Sequence, residues 1–175
     1  MSYIYLVPIA TKSVFWLEPL AAGIFREFGM HAKCAKCSIE ISPAFDPLRQ
    51  QYNSSYLLGE LLAQPLADAD KVLGIAEVDL FIPILTFVFG EAQLDGPGAI
   101  VSMHRLNNTF YGMPENNTLL VQRIVKESIH ELGHTFGLLH CSSPGCVLNT
   151  STYVEDIDQK SDAFCRQCQK QLPAM

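Results

Sequence analysis

The chain has 175 residues, of which 49% are hydrophobic and 17% charged, a globular balance that excludes intrinsic disorder and suffices for one domain with its own core. A formal net charge of -6, a pI near 5.3 and the lack of any Lys/Arg run argue against a nucleic-acid backbone as partner. No segment approaches the roughly 18 apolar residues of a membrane span, and the apolar start, MSYIYLVPIATKSVFW, lacks the basic region and small-residue cleavage site of a secretion signal. A cytoplasmic protein without a membrane anchor is expected.

Tyr3 to Ile9 reads as a first strand. Pro19 suits the first position of a helix and Gly29 its left-handed cap. Ala32 to Ile41 reads as extended. Asp46-Pro47 signals a second helix, with Leu48, Tyr52, Leu57, Leu58, Leu61 and Leu62 as its apolar residues. Strand-like runs follow at 71–81, 85–94 and 99–106, the last two parted by Gly96-Pro97-Gly98. Asn116, Asn117 or Thr118 can then cap a long helix with Leu119, Leu120, Ile124, Ile129, Leu132 and Phe136 largely on its buried side. This order predicts an α/β fold with a mostly parallel, twisted sheet. The rest is poor in regular pattern and rich in cysteine. One domain, 1–175, is expected, with an N-terminal subdomain 1–137 and a short, irregular C-terminal subdomain 138–175.

Chemistry concentrates at HELGHTFGLLH, residues 130–140. Four residues apart on a helix, His130 and His134 project from one face and suit a single tetrahedral zinc ion. Glu131 lies roughly 100° round the helix, beside the metal without ligating it, where it can act as a general base toward water. Gly137 permits the positive φ of a sharp helix end, after which the chain can return His140 as third ligand. Three nitrogen ligands, one open position and a base are the parts needed to hydrolyse a polarised carbonyl.

Six cysteines stand in pairs. Cys141 and Cys146, then Cys165 and Cys168, have the spacing of a closed four-thiolate zinc site, which would clamp the C-terminal segment and, through Cys141, the adjacent His140. Buried thiols and disulfides are the alternatives. Cys34 and Cys37 read as ordinary reduced thiols; the alternatives are a redox pair, which Lys33 and Lys36 would favour by lowering the thiol pKa, or a replacement for one of the C-terminal pairs at a metal. His31 and His104 read as structural, the acidic residues 155–162 as a solvated loop, and Tyr153 as packing.

The three-histidine motif resembles the metzincin clan of zinc peptidases. HELGHTFGLLHCSSPGCVL with FCRQC, and the upstream segment 78–106, is similar to the archaemetzincin family. That resemblance implies a zincin-like α/β (α+β) fold: a twisted five-stranded mixed sheet, an antiparallel edge strand near Thr86 to Glu91, and a cleft above a long active-site helix. It also implies a zinc metallopeptidase with two zinc ions, one catalytic and one structural, and a peptide or protein substrate held along the edge strand. Leu148 stands where the family has a methionine beneath the metal; similar in volume and apolar, it should leave the ligands intact. Thr150 stands where some metzincins carry a tyrosine near the metal. Two rivals are a low-turnover zinc-containing peptide-binding or scaffolding protein and a thiol redox protein.

Overall fold

The computed structural model describes residues 3–11, 13–66 and 68–173. Its elements in chain order are β1 (Tyr3–Ile9), α1 (Leu17–Phe28), β2 (His31–Cys34), β3 (Phe45–Asp46), β4 (Gln51–Asn53), α2 (Ser54–Leu62), β5 (Ala69–Ala76), β6 (Leu80–Phe81), β7 (Gly90–Ala92), β8 (Gly98–Ser102), α3 (Asn117–Thr135), α4 (Val154–Gln159) and α5 (Arg166–Gln169). The main sheet runs β2-β1-β5-β8-β7. Its first four strands are parallel, and β7 pairs antiparallel with β8 at one edge. The central strands are apolar on both faces because helices cover both. On one face Ile4, Leu6 and Leu73 pack with Leu20 and Ile24 of α1 and Ile124, Ile129 and Leu132 of α3. On the other, Val7, Ile9 and Val72 meet Leu57 and Leu61 of α2. The C-terminal segment joins the first core through Val147, Leu148, Ile157 and Phe164.

Several expected boundaries move. Helix α1 starts at Leu17, so Pro19 sits within the first turn, where a missing N–H costs nothing. Asp46-Pro47 opens no helix. The Asp46 carboxylate accepts the N–H groups of Leu48 and Arg49 at 2.8 and 3.1 Å and closes a turn between β3 and β4. Such local bonding competes with the helix. It leaves Leu48 96% exposed. The cap of α2 is Asn53 instead, accepting from Tyr56 N–H at 3.0 Å. The 71–81 run divides, because Glu77 N–H bonds Ile9 O and Leu80–Phe81 pass into a small sheet with β3 and β4. Of 85–94 only Gly90–Ala92 is strand, and 99–106 ends in a 3₁₀ turn at His104–Leu106. Extended structure after Met30 stops at Cys34. The acidic run is no solvated loop: it contains α4, whose Asp158 binds Arg123 at 2.7 Å. Tyr153, 67% exposed, begins that helix rather than packing inside. No described helix is long and apolar enough to cross a membrane.

Candidate metal centres

Helix α3 is the scaffold of the first centre. Asn116 caps it, accepting Leu119 N–H at 3.0 Å, and its apolar stripe lies on the sheet. Its C-terminal turn is pinned by Asp95 N–H on His134 O at 2.9 Å and by Lys71 Nζ on Thr135 O at 2.7 Å. Gly137 then takes φ 84°, a conformation open to glycine at little cost. Leu138 N–H bonds back to Gly133 O, and the chain doubles over itself. That reversal brings His140 to the face where His130 and His134 already meet, its ring centroid 5.2 and 4.8 Å from theirs.

Both helical imidazoles are oriented from behind. His130 Nδ1–H donates to Val147 O at 2.8 Å and His134 Nδ1–H to Leu138 O at 2.7 Å. A carbonyl only accepts, so each Nδ1 carries a proton, and in the neutral ring the Nε2 lone pair is left to bind a metal. Those two Nε2 atoms face each other at 3.1 Å. Two opposed lone pairs at that range repel unless a proton or a metal ion lies between them. Ligands about 2.1 Å from a tetrahedral zinc would stand about 3.4 Å apart, so the donors fit. One ligand atom from each histidine lies within 4.8 Å of the others. Burial first, then Lys160, holds His130 well below its usual titration range, and burial lowers His140, which keeps both in the neutral ligand form.

Glu131 is buried beside the histidines. Burial, then the Glu127 carboxylate, pushes its carboxyl well above the ordinary range, with Lys160 opposing. A divalent cation nearby would oppose it further. The Glu131 side chain lies against Gly90 of β7, where a β-carbon would come 2.7 Å from Glu131 Cγ. In front of it opens a cleft of about 340 Å³, lined by residues 85–90 on the edge-strand side, Glu127, His130, Glu131 and His140 on the floor, and Thr150 to Thr152 opposite.

The second centre lies directly after the first. Cys141 and Cys165 sulfurs stand 3.9 Å apart, as do those of Cys146 and Cys168. Thiolates about 2.3 Å from one zinc would be separated by about 3.8 Å. Backbone N–H groups of Ser143 and Cys165 point at the Cys141 and Cys146 sulfurs, both at 3.4 Å. The Cys168 backbone N–H, before other causes, draws the Cys165 thiol down to about 7, whereas burial raises Cys146 and Cys168. All four are free thiols. The Leu148 carbonyl accepts Cys141 N–H at 3.0 Å, and its fully buried side chain packs over Gly133 of α3.

Cys34 is exposed, Cys37 half-buried, and neither falls in a metal-binding group among the described residues. His31 and His104 lie outside them too, against Phe25 and Phe110. Three site residues escaped the sequence reading. Glu127 carries a faint signal, a carboxylate one turn before Glu131 on a buried face. Gly90 and Lys160 carry none.

The model of Peptidase family M54 matches residues 40–174. An archaemetzincin of Methanocaldococcus jannaschii is 43% identical over 145 residues, covering 83% of this chain and 78% of that protein. One of Pyrococcus furiosus is 38% identical over 176 residues, 97% and 91% of the two chains. In three dimensions the chain is similar to the archaemetzincin of Methanopyrus kandleri, with a TM-score of 0.86 at 32% identity over 96% of this chain and 91% of that one. It is equally similar to a zinc-dependent peptidase of Methanocorpusculum labreanum, with a TM-score of 0.86 at 33% identity over 97% and 100%. Sequence and fold agree over nearly the whole length: the chain belongs to Peptidase family M54, among the archaemetzincins, and is a zinc metallopeptidase.

Proposed function

We propose that His130, His134 and His140 hold a catalytic zinc, that Glu131 is the general base of peptide-bond hydrolysis, and that Cys141, Cys146, Cys165 and Cys168 hold a second, structural zinc. The observation that carries the reading is the pair of Nε2 atoms 3.1 Å apart, each in a ring whose Nδ1 faces a carbonyl, with a third imidazole and a buried carboxylate beside them at the floor of a cleft. When bound, the metal supplies a Lewis acid that polarises the scissile carbonyl and acidifies water. Glu131 takes the proton of the attacking water and delivers it to the leaving amine, so its burial, which strengthens it as a base, serves the first transfer. Val147 O and Leu138 O hold the two helical imidazoles in ligating orientation.

The substrate is a peptide or protein in extended form. It lies in the cleft beside residues 85–90, which lead into the edge strand Gly90–Ala92; main-chain pairing at that edge would hold any sequence, and the cleft sorts side chains. Six free thiols fit a reducing cytoplasm, which is where we place the protein. We read the chain as one domain whose C-terminal part, 138–175, is organised by the cysteine zinc.

A mixed peptide library, digested by wild type and by Glu131→Ala at matched zinc content and read by mass spectrometry, tests this. Wild type should cut, and the variant should lose about 10²- to 10⁴-fold in kcat while keeping two metals. Equal cutting by both removes Glu131 as the base. No cutting by either, with both metals bound, favours a peptide-binding protein.

A further inference from the structure

Two buried charges beside the histidines have no part in that mechanism. Lys160 follows α4 and turns inward until its side chain is 3% exposed, and that of Glu127 on α3 is 4% exposed; their Nζ and Oε1 atoms are 2.8 Å apart. Lys160 Nζ also donates to Asn149 O at 3.2 Å and stands 3.4 Å from His130 Nδ1. The last approach is no hydrogen bond. His130 Nδ1–H already donates to Val147 O, and a protonated ring nitrogen offers an ammonium no lone pair.

A buried ion pair is poor ground for stability, since apolar residues of similar volume often serve as well. Its placement is more telling. One ammonium joins three segments: α3 through Glu127, three residues before His130; the turn 147–149 through Asn149 O; and the end of α4. In that turn Val147 O orients His130, Leu148 O accepts Cys141 N–H, and Asn149 O takes Lys160. The tie at Asn149 therefore sets where the Val147 carbonyl stands relative to α3.

We infer that Lys160, anchored by Glu127, is a positioning residue for the histidine centre: it holds the turn 147–149 against α3 so that Val147 O keeps the His130 ring aimed at the metal. This rests on the histidine-metal reading above. Partners that orient a ligand from behind are typically worth about 10- to 100-fold in metal affinity.

The test uses the full-length chain loaded with cobalt(II), as wild type, Lys160→Met and Lys160→Met/Glu127→Gln. Thiolate-to-cobalt charge-transfer absorption reports the cysteine centre, and the weaker visible bands report the histidine centre. Lys160→Met alone strands the Glu127 charge and can fail to fold; the double variant leaves no buried charge unpaired and decides the matter. It should fill its cysteine centre at wild-type affinity, while the histidine centre weakens by about 10- to 100-fold. Unchanged affinity at both centres, whatever the melting temperature, overturns the inference and leaves the pair a packing feature. A wild type with no bands beyond those of the cysteine centre would instead refute the histidine-metal reading itself.

Discussion

Gly90 lacks a side chain because Glu131 occupies the space one would need. A β-carbon there would meet Glu131 Cγ at 2.7 Å and the Ile100 carbonyl oxygen at 2.8 Å, and the backbone oxygen cannot give way. Gly90→Ala should therefore displace Glu131, the proposed base, and lower kcat by about 10²-fold with metal content unchanged, the scale expected when a reacting group moves by about an ångström. Steady-state kinetics with metal analysis of the same sample checks this. Leu148 is the opposite case. Its side chain is fully buried against α3, and the three histidines converge with leucine in place. Leu148→Met conserves volume, so it should change stability by less than ~1.5 kcal/mol and leave histidine-centre affinity intact, as read by urea unfolding and metal titration.

At the scale of elements, starts and stops follow side-chain chemistry more than hydrophobic count. Asn53 and Asn116 cap α2 and α3 because each carboxamide oxygen accepts a free N–H of the first turn. Asn116→Ala should cost about 1 kcal/mol in urea unfolding, with no loss at either metal centre, since the helix is anchored at its other end by Lys71 and Asp95. Asp46, which looked like a cap, spends its oxygen on a turn instead. The apolar runs 71–81 and 85–94 read as single strands, yet each bends where backbone groups find partners on another element. Hydropathy records burial; it does not record which neighbour takes the hydrogen bond.

At the scale of the molecule, the C-terminal segment is tied to the helices by polar bonds as well as by its cysteines. Arg26 and Lys126 reach Asp162 and the end of α4, Arg123 grips Asp158, and Glu27 accepts Phe164 N–H at 3.0 Å. Removing the proposed cysteine zinc should therefore loosen this segment without unfolding the sheet. In Cys165→Ser/Cys168→Ser, hydrogen exchange should rise across 141–168 and stay low in β1, β5 and β8. Global loss of protection would mean instead that the whole fold depends on the cysteine metal.

By itself the sequence determined what short-range spacing encodes: the α/β order, the helix bearing His130, Glu131 and His134, the glycine that lets the chain turn back, and the paired cysteines. These were legible because a helical turn and a metal ion each impose fixed intervals on the residues that serve them. The tertiary structure alone decided the narrowing of the edge strand to Gly90–Ala92, the seat of Glu131 against Gly90, and the meeting of Lys160 with Glu127 and Asn149. Those contacts join residues from different elements, where partners are chosen by packing and by the need of each buried polar group for a mate, and no local interval announces them.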